Sequence, residues 1–286
     1  MNNDLKIAFF GTPRAAVYVL EEMKKSGIIP DFIITAPDKP AGRKLVITAP
    51  PAKIWAIENS IPVFQPETLK DTNAVETIKK TEPWNLFIVA AYGNILTKDI
   101  LNIPKHGTLN VHPSLLPLLR GASPIQTAIL ESNETGVTII LVDEKMDHGP
   151  IVAQEKIAQW KSPAVIPKAS ELEEILTRRG GQILAEIIPK WISGKIQAQE
   201  QNHDNATFTK KLSKEDGKLN LNDDAEKNYR KIKSFDVWPR AYFFIEKNGK
   251  QARVIVTDAT LENNKLIIKK VIPEGKKEMP YTDFKK

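Results

Sequence analysis

The sequence predicts an α/β protein: a doubly wound, mostly parallel sheet followed by a small, separate β domain. Three observations carry that expectation. Short, almost uniformly apolar runs, above all Trp84-Asn85-Leu86-Phe87-Ile88-Val89-Ala90-Ala91, read as strands covered on both faces. Segments of helical apolar spacing lie between them, beginning with a strand, a Gly turn and a helix at the amino end. After residue 207 the pattern changes to alternating strands with a hairpin signal at Lys247-Asn248-Gly249-Lys250.

Taken in order, Lys6 to Phe10 is a buried first strand that turns at Gly11-Thr12-Pro13 into a helix over Ala15 to Lys25. The second and third Gly of a dinucleotide fingerprint are missing, so no NAD or FAD site follows. Asp31 to Thr35 is a second strand. It leads into Ala36 to Leu45, a loop rich in Pro and Gly that carries Lys39, Arg43 and Lys44 and is expected to be exposed and mobile. Ala52 to Asn59 reads as a helix, Ile61 to Phe64 as a strand, Asn73 to Lys80 as a helix and Trp84 to Ala91 as a central strand. Past the next strand, Ile125 to Leu130 is helical, Gly136 to Val142 and Ile151 to Ile157 are strands, and Ser170 to Trp191 is a long helix with Ser170 and Glu173 as its capping box. Gly194 to Thr207 has no apolar period and reads as a linker. This divides the chain into a domain at 1–193, a linker at 194–207 and a small β-barrel domain at 208–286 that includes one helix at Ala225 to Ser234.

Composition narrows the function classes. The 286 residues contain no Cys, which excludes a disulfide framework, a thiolate nucleophile and a Cys-held zinc. No apolar run is long enough to span a bilayer, and a cytoplasmic location with no membrane partner is expected. The net charge of +6 is localised: from Asp204 to the end stand 19 Lys and Arg against 13 Asp and Glu, while the residues before it balance. A basic accessory domain beside a neutral one fits an anionic polymer as partner, and equally fits a soluble mixed-charge surface.

The chemistry-bearing stretch is Gly107-Thr108-Leu109-Asn110-Val111-His112-Pro113-Ser114-Leu115-Leu116-Pro117 with Arg120-Gly121-Ala122-Ser123-Pro124-Ile125. A short strand puts Asn110 and His112 on one face and breaks at Pro113. Ligands of open α/β sheets bind outside the carboxyl ends of the strands, which is where these two polar side chains stand. A core Asn and His satisfied by backbone is the alternative. The loop Asp143-Glu144-Lys145-Met146-Asp147-His148-Gly149-Pro150 supplies carboxylates that could orient a His or take a proton. Ser114 and Ser123 lack a nucleophile elbow and no zinc spacing occurs, which leaves proton transfer and oxyanion stabilisation.

These motifs resemble the folate-dependent formyltransferases: Asn110-Val111-His112-Pro113 with Arg120-Gly121, then Met146-Asp147-His148-Gly149-Pro150, in that order and with those flanks. Phe10-Gly11-Thr12-Pro13, Ala36 to Arg43, Pro62-Val63-Phe64-Gln65-Pro66, Lys211-Leu212-Ser213 and Phe235-Asp236-Val237-Trp238-Pro239 are similar to the branch of that family that acts on methionyl-initiator-tRNA. The resemblance implies a Rossmann-like catalytic domain, an OB-like barrel lying along the tRNA, and 10-formyltetrahydrofolate as donor, with no metal. It implies Asn110, His112 and Asp147 as the catalytic trio. Folate contacts are implied at Tyr92, Gly93, Asn94, Ile95 and Leu96, at Ser114, Leu115, Leu116 and Pro117, and at Val142, Asp143 and Glu144. The tRNA and its methionyl end are implied to meet Gly11, Thr12, Pro13, Arg43, Lys44, Arg120 and Gly121. A monomer is expected. An amino-sugar-nucleotide N-formyltransferase and a non-catalytic tRNA- or folate-binding homologue are the alternatives.

Overall fold

The computed structural model describes residues 5–42, 45–81, 83–247 and 249–285. Packing divides the chain into two compact units, one made of the chain up to Arg120 with Gly136–Glu155 and Glu174–Thr207, the other of Gly121–Thr135, Lys156–Glu173 and the chain from Phe208 onward.

The first unit is organised by a seven-stranded sheet. Its strands are β1 (Ile7–Phe10), β2 (Phe32–Ile34), β3 (Val63–Phe64), β4 (Leu86–Ala90), β5 (Thr108–His112), β6 (Glu134–Leu141) and β7 (Ile151–Gln159), paired in the order β7-β6-β5-β4-β1-β2-β3. β1, β2, β3, β4 and β5 run parallel, and β6 is antiparallel to β5. The strand order reverses between β1 and β4, so the crevice at their carboxyl ends is the natural ligand site. All residues of β1 and β4 are buried, as the uniformly apolar runs predict.

Helices α1 (Arg14–Lys25), α2 (Pro51–Glu58), α3 (Thr72–Thr81), α4 (Lys98–Leu101), α5 (Pro124–Glu131) and α6 (Ala169–Ile192) punctuate the strands. One core cluster gathers Phe10, Phe32, Ile34, Ile78, Trp84, Phe87 and Ile100, with Phe10 and Phe87 ring centroids 5.2 Å apart. α6 comes close because it has no side chains at Gly180 and Gly181. A Cβ on Gly180 would stand 2.4 Å from Val111 Cγ1, and one on Gly181 would stand 2.8 Å from Val19 O. Val111 therefore faces α6, and Asn110 and His112, one pleat away on either side, face away from it.

The second unit holds an antiparallel sheet of β8 (Tyr242–Lys247), β9 (Lys250–Glu262), β10 (Lys265–Pro273) and β11 (Met279–Pro280), paired in that order. Helix α7 (Ala225–Ser234) is capped by Asp224, whose carboxylate accepts from Lys227 N at 2.9 Å, and it packs Tyr229 and Ile232 against Phe243, Val254, Val256 and Val271. A last short helix, α8 (Tyr281–Phe284), follows β11.

Two local expectations change. The Ala36 to Leu45 loop is part of a hairpin, Lys39–Ala41 against Val46–Thr48, with Leu45, Val46 and Ile47 at least 60% exposed. Arg43 and Lys44, the cations expected to grip a partner there, lie outside the described residues. Ser170 does not cap α6: it is already inside the helix, and its N–H and hydroxyl both donate to the Asp236 carboxylate. The Asp236 carboxylate takes the Ser170 N–H that a capping box would give to Glu173. Among the described residues no helix is long and apolar enough to cross a membrane.

Candidate active site

Three loops of the first unit carry the site: residues 91–96 after β4, 113–119 after β5 and 142–150 after β6. Each contains one non-Gly residue in the left-handed region, Ala91 (φ 49), Leu119 (φ 61) and Asp147 (φ 50). Such conformations cost roughly 1–3 kcal/mol each and persist only where surrounding bonds impose them.

His112 ends β5 and is 4% exposed. Its Nε2 is 3.2 Å from Leu119 O and its Nδ1 is 3.5 Å from Asp147 Oδ1. A carbonyl oxygen only accepts, so Nε2 carries a proton and Nδ1 is the edge turned to the carboxylate. Asn110 stands two residues earlier, half-buried, in register with Val89 on one side and Ile140 on the other. The structure thus brings Asn110, His112 and Asp147 into one neighbourhood, with His112 and Asp147 paired.

The loop after β5 is rigidly built. Ser114 is fully buried and its hydroxyl donates to Leu118 O at 2.6 Å. Thr138 Oγ1 donates to Ser114 O at 2.7 Å and accepts from Leu116 N, while Gln154 Nε2 donates to Leu116 O. Ser114 therefore shapes the turn with its hydroxyl, Leu116 is buried, and Leu115 and Pro117 remain half-exposed beside it. The loop after β4 presents Tyr92, whose ring meets Phe10 edge-on at 5.7 Å and whose phenol is pushed above its usual pKa by burial. Gly93 and Ile95 are exposed, Asn94 is half-buried and Leu96 is 9% exposed.

In the loop after β6, Val142 N donates to Thr108 O, Glu144 pairs with Lys98 at 3.0 Å, and Asp143 accepts from Lys145 N and holds His148 Nδ1 at 2.6 Å. At the β1 exit, Gly11 allows the chain to pass β4: a Cβ there would lie 2.8 Å from Ala90 O. Thr12 Oγ1 accepts from Ala36 N at 3.3 Å, and Pro13 is exposed.

Arg120, expected to meet substrate, is instead 3% exposed, with its Nε and Nη2 donating to Gln201 Oε1 at 3.2 and 2.6 Å and its Nη2 2.8 Å from His203 Nδ1. Gly121 follows it as a half-buried residue with φ 115. His203 stacks on His148 at 4.0 Å. Gln201 and His203 are the residues that sequence reasoning missed: they sit in the aperiodic segment read as a linker, and nothing local marks them as inward-facing. Among the described residues no group of three or more His, Cys, Asp and Glu is arranged to hold a metal.

Comparison with known proteins bears on the family. The family described as Formyl transferase matches residues 5–180, and Formyl transferase, C-terminal domain, matches residues 211–265. The chain is 42% identical over 252 residues, covering 88% of it and 79% of the relative, to a methionyl-tRNA formyltransferase of Chloroflexus aurantiacus. Among solved structures it resembles a methionyl-tRNA formyltransferase from Clostridium thermocellum (TM-score 0.59, 19% identity, 94% of this chain and 98% of that one). It also resembles an N-formyltransferase from Helicobacter canadensis in complex with folinic acid and dTDP-3-aminofucose (TM-score 0.65, 18% identity, 91% and 88%).

Proposed function

The chain belongs to the formyl transferase family, and from that premise we propose that it moves the formyl group of 10-formyltetrahydrofolate onto the α-amino group of methionyl-initiator-tRNA. The observation that carries the choice of acceptor is the 42% identity over most of the chain to a methionyl-tRNA formyltransferase. The solved structures share the fold with tRNA and amino-sugar enzymes alike and do not separate them. The excess of positive charge after residue 203 supports a polyanionic partner.

In this reading the neutral amine attacks the formyl carbon. An α-amino group has a pKa of roughly 8, so a usable fraction is uncharged near neutral pH. The carbonyl oxygen becomes an oxyanion, to which the Asn110 carboxamide donates together with the His112 Nε2–H, which exchanges Leu119 O for the substrate oxygen. Asp147 holds the Nδ1 edge of His112 and draws the proton from the attacking nitrogen, directly or through one water. Collapse of the intermediate breaks the bond to the folate nitrogen, which leaves protonated. Tyr92, Ile95, Leu115 and Pro117 offer apolar surface around this point for the folate ring, and Asp143 stays committed to His148.

The test is incubation of the purified protein with the formyl donor and, separately, charged initiator tRNA or a nucleotide-linked amino sugar, with the formylated amine identified by mass spectrometry. Formyl-methionine on the tRNA is expected. Formylation of the sugar alone would overturn the acceptor, and formylation of neither would leave a binding protein.

A further inference from the structure

His112 is held between two partners that come from different loops, Leu119 O on one edge and Asp147 Oδ1 on the other. A single buried amide bridges those loops. Gln201, 5% exposed, accepts on Oε1 from Arg120 Nε and Nη2, and Arg120 directly follows Leu119. From its other end Nε2 donates to Asp147 O at 3.0 Å and to Gly149 O at 2.7 Å. Both donors and both acceptor positions of the carboxamide are thereby used.

The orientation of this amide is determined by its partners. Turned over, it would set an NH2 against a guanidinium and an oxygen against two carbonyls. Glu would keep Arg120 but repel the two carbonyls unless protonated, and Asn is one methylene too short to reach from one side to the other. The loop it meets has no slack. Asp147 is left-handed (φ 50), and a Cβ on Gly149 would stand 1.9 Å from Leu141 O. Bonds to the carbonyls at both ends of the Asp147-His148-Gly149 turn are a direct way to impose that conformation.

We propose that Gln201 is a positioning residue for formyl transfer: its carboxamide ties the Leu119-Arg120 corner to the Asp147–Gly149 turn and so sets where the Asp147 carboxylate stands against His112. The inference rests on the reading of His112 and Asp147 as the reacting pair.

The experiment uses the full-length protein with Gln201→Glu and Gln201→Leu, each alone and combined with Asp147→Asn, and measures kcat, KM for the formyl donor, the pH profile of kcat and the thermal midpoint. Gln201→Glu keeps a partner for Arg120 and removes only the tie to the turn. It is expected to lose tenfold or more in kcat with KM within twofold, and to recover activity relative to wild type as the pH falls and the new carboxyl is protonated. Asp147→Asn alone is expected to be impaired, and adding either Gln201 substitution to it should change kcat by less than twofold, because the group being positioned is already gone. If Asp147→Asn is impaired while folded Gln201→Glu keeps wild-type kcat, the inference fails and the reading of the site stands. If Gln201→Glu lowers only the thermal midpoint, or its loss multiplies fully with that of Asp147→Asn, the role is structural and the proposal is overturned. Full activity in Asp147→Asn would overturn the reading of the site and the inference with it.

Discussion

At the scale of single residues, the proposed mechanism depends on two donors, Asn110 and His112. Removing one donor aimed at developing charge costs roughly 3 kcal/mol, so His112→Ala is expected to lower kcat by about a hundredfold or more. The circular dichroism spectrum should be unchanged, since among the described residues the ring is hydrogen-bonded to the Leu119 carbonyl and otherwise faces the Asp147 carboxylate at 3.5 Å. A variant that keeps wild-type turnover would remove His112 from the mechanism. Part of this site was legible in the sequence for a physical reason: the two-residue period of a strand puts Asn110 and His112 on one face whatever surrounds them. Asp147 was legible only through its motif. Gln201 was not, because a polar residue in an aperiodic segment carries no sign of burial, and its partners stand 81 and 54 positions away.

At the scale of elements, close approach and capping decide stability. Ala is a better helix former than Gly by about 1 kcal/mol, yet Gly181→Ala in α6 is expected to destabilise. Its Cβ would meet Val19 backbone oxygen at 2.8 Å and Val19 Cα at 3.0 Å, and backbone does not move aside cheaply. An overpacking cost of about 1–3 kcal/mol exceeds the propensity gain. Urea denaturation checks the sign, and a higher midpoint would refute it.

The short turn at Lys214–Gly217 shows the same logic with charge. Asp216 accepts from Ser213 N and Oγ and pairs with Lys210; the Lys210 bond, first among these, draws its pKa from the usual 3.8 to about 2. A depressed carboxyl stabilises fully above the unfolded value and loses that contribution as pH falls through the folded one. Asp216→Ala should therefore cost about 1 kcal/mol at neutral pH, and the gap to wild type should narrow progressively from about pH 5 to about pH 1 in chemical denaturation at a series of pH values. A gap of the same size at about pH 1 as at neutral pH would assign the loss to packing. Element positions were largely readable from apolar period, including α7 to the residue. The α6 cap was not, because Asp236, which takes the Ser170 hydroxyl, is 66 positions away.

At the scale of the whole molecule, the positive excess after residue 203 predicts how the acceptor is held. If polyanion contacts supply the affinity, the observed association constant for initiator tRNA should fall steeply with salt. Neutralising six phosphates or so would lose on the order of a thousandfold between 50 and 200 mM. Binding of the formyl donor should change far less over the same range. A flat salt response for tRNA would count against the basic segment as its landing surface.

The chain passes between its two units five times. β7 and α6 are continuous elements that begin in one and end in the other. Helix α5 lies in the middle of the sequence, yet Ile129 within it and Ser132 just after it offer their carbonyls to Arg230 of α7, about a hundred residues later. Neither unit is a contiguous stretch that could be cut free, and melting one releases the anchored ends of segments belonging to the other. Their unfolding is therefore coupled through the covalent chain: fluorescence and circular dichroism should report one shared transition, and a fragment ending at Thr207 should expose the face of α5 and aggregate.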